Sequence, residues 1–155
     1  MTETIHARLV TMLEDRGVPF QTLRHAPVFT SQEAAEVRGT SLASGAKALI
    51  CKTGDEFRMF VVPADRRLAS AAVRRQLGIR SLRFASREEV GQLTTLTPGS
   101  IPPFGSLFTL TTCCDHSLGE QDQINFNAGD HSISISMAFA DYLAVESPTL
   151  GQFAE

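Results

Sequence analysis

Apolar side chains at the start of the chain recur at helical spacing. Ile5, Leu9, Met12 and Leu13 share one face of a helix predicted over residues 3–16, and Gly17 stops it. The period then shortens, and residues 18–23 read as a strand. Thr30-Ser-Gln-Glu33 has the spacing of a capping box, in which the threonine hydroxyl and the glutamate carboxylate satisfy the opening amides of a helix running to about Arg38. Apolar runs at 46–52 and 57–62 predict two strands joined by a turn at Gly54-Asp55. A helix over 68–77 closed by Gly78, a short strand at 81–84 and a second capping box, Ser86-Arg-Glu-Glu89, opening a helix to about Leu93, follow in turn.

The texture changes at Thr97-Pro-Gly-Ser-Ile-Pro-Pro-Phe-Gly105, where three prolines and two glycines in nine residues exclude regular structure. Beyond it, strands are predicted at 107–113, 124–127 and 132–137, and a closing helix at 138–145. In the third of these strands Ile133, Ile135 and Met137 alternate with serines, so one face is expected to be buried and the other wet. Helices and strands are interspersed, with hairpin spacing in both halves, which favours a mixed α/β (α+β) fold over a doubly wound parallel sheet. No repeat, low-complexity tract or long linker interrupts the pattern, and residues 1–155 are expected to form a single domain.

Composition narrows the class. At 155 residues, 43% hydrophobic and 20% charged, the chain can bury a sizeable core and is not disordered, coiled-coil or collagen-like. No apolar run approaches the roughly 20 residues of a membrane span, and the first residues lack the basic start and apolar stretch of a secretory signal. Cys51, Cys113 and Cys114 do not resemble a disulfide framework, so a reduced, cytoplasmic protein is expected. The net charge of -3 hides an asymmetry: residues 58–87 carry eight arginines against one acid, Asp65, whereas from Glu88 onward there are nine acids and no Lys or Arg. Such a split suits either a basic face for a polyanion or arginines paired with the acidic half, and the overall acidity argues against a general nucleic-acid coat.

Three segments carry candidate chemistry. In Gly99-Ser-Ile-Pro-Pro-Phe-Gly105, glycine lets backbone approach a ligand and proline holds it rigid, so its remaining amides could be aimed at a carbonyl or oxyanion; a plain connecting loop is the alternative. Lys47 lies within an apolar strand, on one face with Leu49 and Cys51, either at a cleft or as an edge-strand lysine. Asn127-Ala-Gly-Asp-His131 has the composition of a hairpin turn with positive φ at Gly129-Asp130, from which His131 could reach a site. Cys113, Cys114, His116 and His131 are the best case for a metal, but adjacent strand residues face opposite ways and no CxxC or HExxH spacing exists, so no metal is expected. No cysteine sits at a helix start or elbow, and no GxGxxG or P-loop pattern supports a nucleotide cofactor; none is expected.

Taken in order, His25-Ala-Pro-Val-Phe-Thr30, Gly45-Ala-Lys-Ala-Leu49, Leu77-Gly-Ile-Arg-Ser-Leu-Arg-Phe-Ala85, the Gly99-x-x-x-Pro103 loop, Asp115, the Asn127-Ala-Gly129 turn and Asp141-Tyr-Leu143 resemble the YbaK and prolyl-tRNA-synthetase-associated (ProX-like) editing domains. Arg38-Gly-Thr-Ser-Leu-Ala-Ser-Gly-Ala-Lys47 and Ile101-Pro-Pro-Phe104 look most like the freestanding bacterial branch. The resemblance implies a compact mixed fold with a curved sheet flanked by helices. It also implies an aminoacyl-tRNA deacylase that cleaves the ester at the 3′-terminal adenosine without a metal or a Ser/His/Asp triad. By position, Lys47 would be the essential lysine. Gly99, Ser100, Ile101, Pro102, Pro103 and Phe104 would form the substrate-carbonyl loop, with further substrate contacts from Phe29, Thr30, Asn127, Gly129 and His131. Thr95 stands where many family members have glycine.

The expected substrate is a mischarged tRNA carrying a small amino acid (Ser, Thr, Ala or Cys), the hydroxylated pair being favoured by the branch resemblance. The tRNA acceptor end, met by Arg74 and Arg75, and a synthetase are the expected partners; a membrane and DNA are not. A non-catalytic tRNA-end or synthetase-binding module, and an esterase of a small non-tRNA substrate, are the competing readings.

Overall fold

Thr4 opens the first helix of the computed structural model, which describes residues 3–155: its Oγ1 accepts from the Ala7 amide at 3.0 Å, and α1 (Ile5–Asp15) buries Ile5, Leu9 and Leu13. After β1 (Phe20–Arg24), both capping boxes are formed: Thr30 and Glu33 open α2 (Ser31–Arg38), and Ser86 and Glu89 open α4 (Arg87–Thr94). The hairpin β2 (Ala46–Thr53) and β3 (Glu56–Pro63) turns at Gly54, whose φ is +69°. Then come α3 (Ser70–Leu77), β4 (Leu82–Phe84), β5 (Thr111–Asp115), β6 (Gln123–Asn127), β7 (Ile133–Ala138), α5 (Phe139–Glu146) and β8 (Thr149–Gly151).

The expected mixed α+β architecture is present, with its strands in two sheets. One is antiparallel, in the order β1-β7-β6; the other is mixed, in the order β4-β2-β3-β5-β8. They meet at a parallel bridge between Gly45 and Asn125. The continuous apolar run in β3 is explained by burial on both faces: Met59 and Val61 join the main core with Leu9, Phe104, Phe126 and Tyr142, while Phe60 and Val62 join a smaller one with Cys51, Val73 and Phe153.

Four local expectations are corrected. The helix predicted from residue 68 starts at Ser70, because Leu68 bridges Ala154 and the Ala69 amide donates to Phe153 O at 2.7 Å. The strand predicted from residue 107 starts at Thr111: Gly105–Phe108 forms a 3-10 turn, held by the Gly105 amide on Thr112 Oγ1 and by Ser106 on the Glu146 carboxylate. The serine face of β7 is not all wet, since Ser134 is buried beneath His25 and Arg38. In the β6–β7 turn only Gly129 has positive φ, at +86°; Asp130 instead accepts from the Ser132 amide and hydroxyl.

Candidate active site

A cleft of about 220 Å³ opens where the two sheets meet. One wall is Phe29, Thr30 and one face of α2, formed by Ser31, Ala34, Ala35 and Arg38. The other is the beginning of β2, and the β6 asparagines Asn125 and Asn127 and the loop residues Gly99 and Ile101 complete it. β4 pairs only with Cys51–Thr53 and the Ile50 carbonyl receives the Ala85 amide, so residues 46–49 run along the cleft without a strand neighbour on that side.

Lys47 and Arg38 are the charged side chains among the cleft-lining residues, which include no Asp, Glu, His or Cys. Lys47 is half-buried and its Nζ donates to Arg66 O at 2.9 Å. Burial pushes its pKa below the ordinary lysine value, and the charge of Asp65 opposes that shift. Arg38 was missed in the sequence because it reads there as a helix-terminal surface residue. Its Nε donates to Ser134 Oγ at 2.8 Å and its Nη2 to Asn127 Oδ1 at 2.9 Å, and burial lowers its pKa to about 10.

The 97–105 loop is tied back by its carbonyls. Asn127 Nδ2 donates to Gly99 O at 2.7 Å, the Gly129 amide to Ser100 O at 2.9 Å and the Tyr142 hydroxyl to Pro103 O at 2.7 Å. The orientation of Asn127 is forced: its Oδ1 accepts from Arg38, so its Nδ2 must face the loop. Gly99 has φ of +93°, and a Cβ there would sit 3.4 Å from His131 Cε1. The amides of Gly99 and Ile101 have no protein acceptor among the described residues, and both residues line the cleft. Backbone amides left unpaired on a held loop are groups able to donate to a carbonyl oxygen or oxyanion.

His131 is the clamp behind this loop. Carbonyls only accept, so its Nδ1–H donates to Val28 O at 3.1 Å, and its Nε2 is hydrogen-bonded to the Thr97 hydroxyl at 2.9 Å. Both nitrogens are engaged, and the ring lies 4.7 Å from that of Phe29, which is 72% exposed on the rim. Of the residues singled out in the sequence, Phe29, Thr30, Lys47, Gly99, Ile101 and Asn127 come together on the cleft. Ser100, Pro102 and Pro103 are buried beside it, and Phe104 is in the main core between Phe126 and Tyr142. Gly129 and His131 act on the loop from the β6–β7 turn, and Arg74 and Arg75 are exposed on α3, outside the cleft. Besides Arg38, the sequence reading missed Asn125, for which the available signal was its position two residues before Asn127 on one strand face.

The thiols are unsuited to nucleophilic work. Cys51, Cys113 and Cys114 are buried, and burial pushes the first and last up to about 12.

The chain is 34% identical over 153 residues to the multifunctional Ser/Thr-tRNA deacylase ProXp-y of Escherichia coli (strain K12), covering 96% of this chain and 92% of that protein. A stretch of 94 residues, 61% of the chain, is 37% identical to 15% of the proline--tRNA ligase of Shouchella clausii. A crystal structure of a proposed trans-editing enzyme for prolyl tRNA synthetase has the same fold, with a TM-score of 0.85 at 24% identity over 100% of this chain and 99% of that one. The aminoacyl-tRNA editing domain matches residues 25–145, and the chain belongs to that family.

Proposed function

We propose that this aminoacyl-tRNA deacylase removes a small amino acid, serine or threonine before alanine or cysteine, from the 3′-terminal adenosine of a mischarged tRNA. The observation that carries the reading is the meeting of Lys47 with the unpaired amides of Gly99 and Ile101 on one cleft. The relative matched over most of its length is a Ser/Thr-tRNA deacylase, which supports the hydroxylated pair.

An aminoacyl ester is already activated, so orientation and electrostatic stabilisation can supply much of the acceleration. The Gly99 and Ile101 amides receive the ester carbonyl oxygen as negative charge develops on it. The Lys47 ammonium anchors the terminal nucleotide or polarises the ester, and water, oriented by a substrate hydroxyl, attacks the carbonyl carbon while a proton passes to the departing ribose oxygen. The ester C–O bond then breaks, leaving the free amino acid and the ribose hydroxyl of the tRNA. Phe29, exposed on the rim and backed by His131, offers a face on which a base of the acceptor end can stack. The cleft lining lacks the Asp, Glu, His and Cys side chains that hold catalytic metals, so the reaction is assigned to lysine and backbone donors.

The test is deacylation of tRNAs charged with Ser, Thr, Ala, Cys and Pro, each with and without EDTA. Cleavage of Ser- and Thr-tRNA that survives the chelator is expected. Absence of cleavage across the panel would leave the protein as a binding module, and loss of activity in EDTA would overturn the metal-free mechanism.

A further inference from the structure

Asn125 and Asn127 face the cleft from alternate positions of β6, but their carboxamides are held differently. Asn127 is used up on both sides, by Arg38 and by Gly99. Asn125 has one partner, Ser44: the Ser44 hydroxyl donates to Ser41 O at 2.8 Å, so toward Asn125 its oxygen can only accept. The group 2.9 Å from it is therefore Nδ2, which fixes the carboxamide with Oδ1 on the opposite side. That oxygen has no donor among the described residues. It is also not sealed away, for Thr40 Oγ1 is the side-chain atom that is both buried and unpartnered among them. Asn125 is only 6% exposed and lines the cleft, so the cleft is where Oδ1 opens. Its backbone pairs with Gly45, two residues before Lys47, and both Asn125 and Lys47 line the cleft.

A fixed carbonyl oxygen opening into the cleft loses its water when a ligand fills the site and then requires a donor from that ligand, because leaving it unpaired costs free energy. The charged groups of the cleft are both cations, which disfavours an ammonium and favours a neutral donor, of which the side-chain hydroxyl is the one that sets seryl and threonyl esters apart. We propose that Asn125 is the specificity-determining residue, its Oδ1 accepting the side-chain hydroxyl of a seryl or threonyl ester. The proposal rests on the deacylase reading above and names how that site tells a hydroxyl from a methyl group. A pocket built to hydrogen-bond a hydroxyl discriminates against the analogue lacking it far more strongly than apolar shape alone does.

The experiment compares kcat/KM for one tRNA body charged with serine and with alanine, in the wild type, Asn125→Ala and Ser44→Ala. Asn125→Ala is expected to lower the Ser-to-Ala ratio about tenfold or more. Ser44→Ala, which keeps the carboxamide but frees its orientation, lowers the ratio by less and serves if the first variant does not fold. An unchanged ratio, with both substrates slowed together, would show a framework role or a contact to the α-amino group common to every ester, and would overturn the proposal while leaving the deacylase reading intact. Wild-type turnover of alanyl- but not seryl- or threonyl-tRNA would overturn the serine/threonine reading and this proposal with it.

Discussion

At Lys47 the sign of the pKa shift makes a prediction about pH. Burial favours the neutral amine, so the ammonium loses its proton at a lower pH than an ordinary lysine, with Asp65 limiting the effect. The charged form is the active one in the proposed mechanism, so kcat/KM should fall on the alkaline side with a midpoint below the ordinary lysine value; a profile flat to that value would contradict the role. In Lys47→Arg whatever activity survives should keep no such limb, since a guanidinium stays charged. Thr95 is the other informative residue. It closes α4 at φ of +66°, a left-handed conformation that a β-branched side chain adopts only at a cost and glycine adopts freely. Thr95→Gly is expected to stabilise the fold by about 0.5–1 kcal/mol, read as a rise in Tm. Lys47 was legible in the sequence because a cation interrupts an apolar strand. Arg38 and Asn125 were not, because their roles depend on partners 96 and 81 residues away in the chain.

Among the elements, the loop at 97–105 has no regular hydrogen bonding of its own and takes its shape from others. α5 supports it through Tyr142, fully buried, whose hydroxyl holds Pro103 O. Tyr142→Phe leaves that carbonyl without its donor and should cost about 1–2 kcal/mol in denaturant unfolding. Because the amides proposed to bind the carbonyl lie on this loop, the same variant should lower kcat more than it raises KM. An unaltered kcat would detach α5 from the loop's geometry. The contrast in legibility is physical. Both capping boxes lie within four residues of sequence and form as read. The false start of β5 and the unforeseen β8 depend on tertiary partners: Glu146 captures the 3-10 turn, and β8 exists as a strand because β5 pairs with it.

For the whole molecule, the charge asymmetry resolves into specific pairs and a remainder. Arg67 pairs with Glu155 at 3.3 Å, Arg83 with Glu89 at 2.7 Å and Arg58 with Glu56 at 3.4 Å, whereas Arg74 and Arg75 make no ion pair among the described residues. If these two meet the acceptor stem, Arg74→Glu with Arg75→Glu should raise KM for aminoacyl-tRNA and flatten its dependence on salt by about two phosphate contacts. An unchanged KM and salt slope would make them plain surface. The mixed fold was legible from interspersed helical and strand periods, but the division into two sheets was not, since it depends on which edges pair. That division creates the cleft, through the bridge of Gly45 with Asn125.

In the proposed mechanism Lys47 and the loop amides together hydrolyse the ester. Its most direct test is single-turnover deacylation of seryl-tRNA by the wild type and by Lys47→Ala, with unfolding curves for both. Hydrolysis is expected to fall to the uncatalysed rate in a variant that remains folded. Turnover retained at near wild-type rate by Lys47→Ala would contradict it.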